Sequence, residues 1–273
     1  MAVAKKAVVK KAVAKKELAA QEVDEATLAL FAGVEDNEQL NQDELALPFL
    51  RIAQKGSPQV DEDSAEYIEG LKPGQFFNTA TSEIYGDEIS IQAHGYFQNF
   101  TIWKGEKGSG DFQGTMTPDA FRELQSTTNM DRDGGDFTRV VDGEPLRYTD
   151  TRNYIVVLPD HIEDGILMYP MSSTGIKASR TWNTLNNGRR INGSKAPRFA
   201  TVWSLKTKGF EKSGYTWKQV STVKPISWAT PELAKLGIEL KDMVDSIKAT
   251  AGEAAHRANS SDGVQDEAAD SDF

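Results

Sequence analysis

Cationic and aromatic side chains are concentrated in residues 173–218, in a pattern that could bind a polyanion. This stretch holds ten basic residues and a single acid, Glu211, in a chain whose formal net charge is −10. The basic residues are Lys177, Arg180, Arg189, Arg190, Lys195, Arg198, Lys206, Lys208, Lys212 and Lys218, and the aromatic ones are Trp182, Phe199, Trp203, Phe210, Tyr215 and Trp217. Cations attract phosphates and aromatic faces stack on bases, so the pattern predicts a single-stranded nucleic-acid site.

A second interpretation of the same stretch stays open. The aromatic residues could be core residues of two strands, with Lys and Arg on the solvated faces. The net charge of +9 over 46 residues favours nucleic-acid binding. In that interpretation phosphates are bound by Lys177, Arg180, Arg189, Arg190, Lys195, Arg198, Lys206 and Lys208, and bases stack on Trp203, Tyr215, Trp217, Phe100 and Trp103.

Composition argues against most catalytic chemistry. The chain has no Cys and only three His residues, so no metal-ligand spacing is recognisable. The glycine-rich residues 105–110 lack the spacing of a phosphate-binding loop, and residues 131–136 lack the glutamate that closes a calcium loop. We therefore expect no enzyme activity, no metal and no cofactor, and a solvated turn at residues 131–136.

Charge and hydropathy divide the chain into four parts. Residues 1–22 predict a basic arm, residues 23–44 an acidic linker with a short helix, and residues 251–273 an acidic, disordered tail. Residues 45–250 predict one β-rich nucleic-acid-binding domain. No apolar run is long enough to span a membrane, so we expect a soluble protein of the cytoplasm, or of the host-cell cytoplasm if a phage encodes it.

Local patterns predict a mainly β domain with α decoration. Strands are expected at residues 49–53, 75–79, 88–104, 151–158 and 165–169, with Gly95 as a bulge in the longest of them. A hairpin of residues 199–206 and 215–226 is expected around a turn at residues 209–214. Helices are expected from Thr117, over residues 174–185 and over residues 230–249.

The end of the chain and one internal block resemble known proteins. Asp266, Glu267, Asp270 and Asp272 precede a terminal Phe273, and this ending is similar to the acidic tails of bacterial and phage single-stranded-DNA-binding proteins. A second block resembles single-stranded-DNA-binding proteins of tailed bacteriophages; it comprises Pro48, Phe49, Leu50, Ser57, Pro58, Gln59, Gly70, Gly74, Asn78, Thr79, Thr81, Glu83 and Tyr85. The resemblance implies an OB-like β-barrel, with inserted helices in this longer chain, and a tail that recruits replication partners.

Two functions are carried forward from the sequence. The first is sequence-independent binding of single-stranded DNA in phage replication, recombination or repair, with a polymerase, helicase or nuclease recruited through the tail. The second is a virion structural or scaffold-like protein that self-associates through its charged tails. The choice of DNA or RNA and the formation of a homo-oligomer stay open, and no membrane contact is expected.

Overall fold

The structure, a computed structural model, describes residues 48–105, 111–133, 135–212 and 214–250. Strands account for 47% of it, so the protein is mainly β, as predicted. The expected arm at residues 1–22, linker at residues 23–44 and tail at residues 251–273 lie outside the described residues. The proposed domain boundaries therefore stay predictions.

The described residues form thirteen strands and four α-helices. The strands are β1 (Leu50–Ile52), β2 (Phe76–Asn78), β3 (Ile84–Gly86), β4 (Glu88–Lys104), β5 (Asp111–Met116), β6 (Asp131–Asp133), β7 (Asp136–Val141), β8 (Glu144–Val157), β9 (Leu167–Ser172), β10 (Arg190–Ile191), β11 (Ser194–Lys195), β12 (Thr201–Lys212) and β13 (Tyr215–Trp228). The helices are α1 (Pro118–Thr127), α2 (Ile176–Gly188), α3 (Pro231–Glu239) and α4 (Lys241–Thr250).

Two long antiparallel strands, β4 and β8, form the centre of the main sheet. They pair with each other from Gln92 and Val157 to Lys104 and Leu146. Each of these strands changes its outer partner along its length. From its N-terminal to its C-terminal end, β4 pairs with β12 and then with β5. In the same direction, β8 pairs with β7 and then with β9. The sheet therefore forks into two branches that share the β4–β8 ribbon.

The first branch curls into a half-barrel, which confirms the predicted OB-like class. It runs β13-β12-β4-β8-β9, and a parallel bridge from Met168 to Phe49 adds the small sheet β1-β2-β3. Where the curled sheet returns on itself, the Gln54 side-chain amide donates to the Lys218 carbonyl at 2.9 Å and accepts from the Lys218 N–H at 2.8 Å. One side chain thus replaces a backbone pair at this seam.

Helix α2 covers the interior of the half-barrel. Trp182 of this helix is fully buried and stacks on Tyr154 with the ring centroids 4.2 Å apart, and its edge faces Trp203. The interior is completed by Leu50, Phe76, Ile89, Ile91, Val156, Leu158, Leu167, Leu205 and Val220. Burial of each such apolar side chain contributes roughly 1.5–3 kcal/mol. Trp182 therefore determines which face of α2 remains exposed.

The second branch has a separate core under α1. Phe100 of β4 stacks on Phe121 of α1 with the ring centroids 3.7 Å apart, and Tyr148 and Phe137 pack beside them. Helix α1 begins as predicted, because the Thr117 hydroxyl accepts from the Ala120 N–H. The two cores lie at opposite ends of the same β4–β8 ribbon.

Helices α3 and α4 pack on other parts of the half-barrel, and at each of these two contacts a glycine allows the packed groups to come close together. A side chain at Gly95 would lie 2.8 Å from Val244 of α4, and one at Gly237 of α3 would overlap the Phe199 ring. Gly95 also marks a register shift between β4 and β8, so the predicted bulge is confirmed. Helix α4 therefore packs on β4 at Gly95, and α3 packs on the turn before β12 through Gly237, at positions that admit no side chain.

Several predicted boundaries are corrected by the structure. The single helix over residues 230–249 is two helices, which meet at Leu240. The turn at residues 209–214 is wrong, because β12 continues to Lys212. Residues 131–136 are not a simple turn but contain β6 and the start of β7. Strand β6 is wholly polar, and the apolar residues of β7 do not alternate with polar ones, so local periodicity did not identify either strand.

Candidate nucleic-acid interface

Helix α2 presents a basic face because its opposite face is buried. Ser179, Trp182 and Asn186 point into the half-barrel at helical spacing. Lys177 and Arg180 are exposed on the other side. Two of the predicted phosphate-binding residues therefore share one helix surface.

A tight hairpin directly after α2 places two more cations side by side. The strands β10 and β11 are joined by Asn192 and Gly193, both with positive φ, as a two-residue hairpin turn requires. Arg190 and Lys195 lie directly opposite each other in this hairpin, and both are exposed. Like charges at paired positions repel each other. Neither residue makes a salt bridge within the part of the chain that the structure describes.

Arg189 joins this hairpin to an exposed tryptophan at the end of β13. Its guanidinium carbon lies 3.8 Å from the centre of the Trp228 ring, and its Nε donates to the Thr201 hydroxyl at 3.2 Å. Trp228 is 45% exposed. We call Arg189, Arg190, Lys195 and Trp228 the arginine corner. The corner thus combines cationic side chains with an aromatic ring, as proteins that bind single-stranded nucleic acids do.

The far end of the β12–β13 hairpin carries one exposed and two half-buried aromatic residues. Tyr215 is 56% exposed, and Phe210 and Trp217 stack with their centroids 5.9 Å apart. Lys208 is exposed on the same hairpin. Lys206 instead binds Glu88 with a nitrogen–oxygen distance of 3.0 Å, and this hydrogen bond raises the pKa of Lys206. Its charge is therefore already compensated.

Three predicted stacking residues do not belong to this surface. Trp203 is fully buried in the half-barrel, and Phe100 is buried in the second core. Neither ring has a face open to a base, so we leave both out of the candidate interface. Trp103 lies near the end of β4 away from β12, packed edge-on against Phe112 at 5.9 Å. The aromatic pattern in the sequence could not separate core rings from surface rings.

Arg198 lies in a different place from the other predicted cations. Its guanidinium carbon is 5.2 Å from the Tyr96 ring centre and 5.9 Å from that of Tyr154, and Nη1 donates to Asn183 at 3.0 Å. Burial lowers the pKa of Arg198. Arg152 contacts the same Tyr96 by donating to its hydroxyl at 3.0 Å. We call Tyr96, Asp150, Arg152, Tyr154 and Arg198 the tyrosine–arginine cluster.

Trp228, Arg152 and Tyr96 were missed from the sequence. The predicted strand ended at residue 226, whereas β13 continues to Trp228. Trp228 follows Lys224 and Ile226 at the two-residue spacing of a strand, so a strand extended by two residues would have included it. Arg152 and Tyr96 lie on predicted strands, but their meeting depends on the register of β4 against β8, which local patterns do not give.

A family model described as Pam3 phage gp34-like protein matches residues 13–251, most of the chain. The chain belongs to the Pam3 phage gp34-like protein family. It is thus a phage protein. No curated protein and no solved structure matches it. Over the described ranges, no helix combines the length and apolarity needed to cross a membrane, and no three His, Asp or Glu side chains come together as a metal site would need.

Proposed function

We propose that this phage protein binds single-stranded DNA without sequence preference, through the arginine corner and the basic face of α2. The observation that carries the proposal is the pairing of Arg190 with Lys195 beside the Arg189–Trp228 stack. Like charges at paired positions repel each other, and a bound phosphate would relieve this repulsion. A strand can supply phosphates to these cations and bases to Trp228.

In the proposal, Tyr215 and Trp217 form a second stacking place, at the other end of the β12–β13 hairpin from Trp228. Tyr215 and Trp217 lie near the start of β13, and Trp228 is its last residue. Trp217 pairs with Phe210 and Trp228 pairs with Thr201, and these two β12 residues alternate to opposite faces, so a nucleic-acid strand that stacks on both rings has to pass around an edge of the β12–β13 ribbon. Each stacked base contributes about 1–3 kcal/mol, and every base type has a suitable face. No catalytic step forms part of this function.

The deciding experiment is a tryptophan-fluorescence titration with oligo-dT and with a duplex of equal length, at low and moderate salt. We expect saturable quenching by oligo-dT, weaker binding of duplex and a steep loss of affinity as salt rises. If neither nucleic acid bound at low salt, DNA binding would be refuted, and the alternative of a self-associating virion or scaffold-like protein would take its place.

A matched pair of double variants tests the site itself. Arg190→Ala with Lys195→Ala removes the paired cations, and Lys235→Ala with Lys241→Ala removes two exposed cations of α3 and α4. Both doubles change net charge equally. We expect only the first to lower affinity and to flatten the salt slope by about 1.4, since each phosphate contact to a single strand contributes about 0.7. Equal effects of the two doubles would mean that net charge alone matters.

We also propose that residues 263–273 form a partner-recruiting tail that competes with DNA for the basic surface. The support is their composition, four acids and a terminal Phe273, opposite in charge to the arginine corner. Deleting these residues is expected to tighten oligo-dT binding at low salt and to have less effect at high salt. Unchanged affinity at low salt would contradict the competition.

A further inference from the structure

The tyrosine–arginine cluster lies on the inner face of the β4–β8 ribbon, between the two cores. Tyr96 and Tyr154 occupy paired positions on β4 and β8, with ring centroids 5.1 Å apart. Arg198 lies over both rings from the segment after β11, and Arg152 reaches the Tyr96 hydroxyl from β8. Two guanidinium groups from different parts of the chain therefore converge on one tyrosine.

The cluster contains more positive than negative charge. Asp150 binds Arg152 with a nitrogen–oxygen distance of 2.7 Å and also accepts from the Gln98 amide at 2.9 Å. Arg198 makes no salt bridge with any residue that the structure describes; its hydrogen bond goes to the neutral Asn183. The Arg152 Nε is buried and has no hydrogen-bond partner there. The cluster thus holds two guanidinium groups and one carboxylate, and that carboxylate binds Arg152.

Burial makes this imbalance costly. A charged group that leaves water needs a counter-charge or a full set of hydrogen bonds. The Arg152 and Asp150 side chains are 18% and 15% exposed, and Arg198 has intermediate exposure. The cluster is therefore largely desolvated but still reached from solvent. Such a place favours an anion that can accept several N–H groups at once.

We propose that the tyrosine–arginine cluster is a binding site for a phosphate group, held by Arg198 and Arg152. A tetrahedral phosphate presents several acceptor oxygens, which suit the planar donor sets of two guanidinium groups. The phosphate comes either from the backbone of a bound strand or from free phosphate. In the first case the inference rests on the proposed function and adds a site away from the arginine corner; in the second it stands alone.

Calorimetric titration of the full-length protein with inorganic phosphate is the direct test. We expect saturable binding, and we expect Arg198→Met to weaken it about ten- to a hundredfold, as the loss of a charged hydrogen-bond partner does. The matched control is Arg139→Met. Arg139 also lies over a tyrosine ring, 5.6 Å from the centre of Tyr148, and donates to its hydroxyl at 2.8 Å, but it is outside the cluster.

Oligo-dT identifies the source of the phosphate. If oligo-dT displaces inorganic phosphate and binds more weakly to Arg198→Met than to Arg139→Met, the site holds a backbone phosphate. If phosphate binds and oligo-dT does not displace it, the site takes free phosphate, and this result stands even if DNA binding fails altogether. Arg152→Met is the second variant if Arg198→Met does not fold. Absence of saturable phosphate binding to the unaltered protein would overturn the proposal.

Discussion

His94 lies in β4, 8% exposed, with its ring stacked against Phe199 at a centroid distance of 6.1 Å. Its Nε2 is 3.1 Å from the Gln92 Oε1, and its Nδ1 is buried and has no hydrogen-bond partner among the described residues. Burial lowers the pKa of His94 to about 4. The folded protein therefore keeps this ring neutral, whereas the unfolded chain protonates it near its ordinary pKa of about 6.5.

Stability is expected to fall as the pH decreases from about 6.5 to about 4, because only the unfolded state takes up this proton over that window. The full loss is about 3 kcal/mol for a shift of this size. Urea unfolding of the unaltered protein and of His94→Gln at several pH values measures it. The variant lacks the titrating ring, so its pH dependence is expected to be flatter; parallel curves for the two proteins would contradict this assignment.

Side-chain burial also decides which aromatic residues are available to a ligand. We expect Trp228→Leu to weaken oligo-dT binding by about 1–3 kcal/mol, the contribution of one stacked base. Trp103→Leu is the control, since Trp103 packs on Phe112 in the other branch. Fluorescence anisotropy of labelled oligo-dT measures both. Equal affinities for the two variants would place the stacking elsewhere.

At the level of elements, α3 depends on the close contact between Gly237 and the Phe199 ring. Alanine is normally about 1 kcal/mol better than glycine within a helix. Here an added methyl group would overlap the ring, so Gly237→Ala is expected to lower the free energy of unfolding by roughly 1–3 kcal/mol. Gly188→Ala is the control, because nothing lies within 4 Å of that position. Thermal unfolding of both variants decides the sign.

The sequence predicted elements better than it predicted their neighbours. Thr117 and Thr230 correctly predicted two helix starts, and Gly95 correctly predicted the bulge in β4. Helix caps and bulges depend on residues that are close in sequence, so local patterns can predict them. The change of partners along β4 and β8 was not predictable, since strand register depends on contacts distant in sequence. The basic segment is a local feature, and the sequence revealed it. The sequence did not reveal that Arg198 contacts Tyr96 and Tyr154 on β4 and β8, whereas Arg190 and Lys195 lie on a hairpin, because those contacts are distant in sequence.

At the scale of the whole molecule, the shared β4–β8 ribbon joins the two cores into one structure. Loss of β4 or β8 would expose both cores, because each core takes side chains from these two strands. We expect equilibrium unfolding in urea to be a single transition, with the same midpoint by tryptophan fluorescence, to which all five Trp residues contribute, and by backbone circular dichroism. Midpoints that differ would show that the branches unfold separately.

The seam at Gln54 gives the half-barrel a preferred place to open. Neighbouring strands of the main sheet are joined by runs of backbone hydrogen bonds, whereas Gln54 joins Lys218 through one amide, with Thr207 adding a bond to Gly74 at 2.6 Å. Local opening of the native state should therefore begin at this seam. In a hydrogen-exchange measurement, the amide hydrogen of Lys218 should exchange with solvent faster than the amide hydrogens of β4. Lys218 lies next to Trp217, so each such fluctuation would reshape the end of the surface on which a strand is proposed to stack.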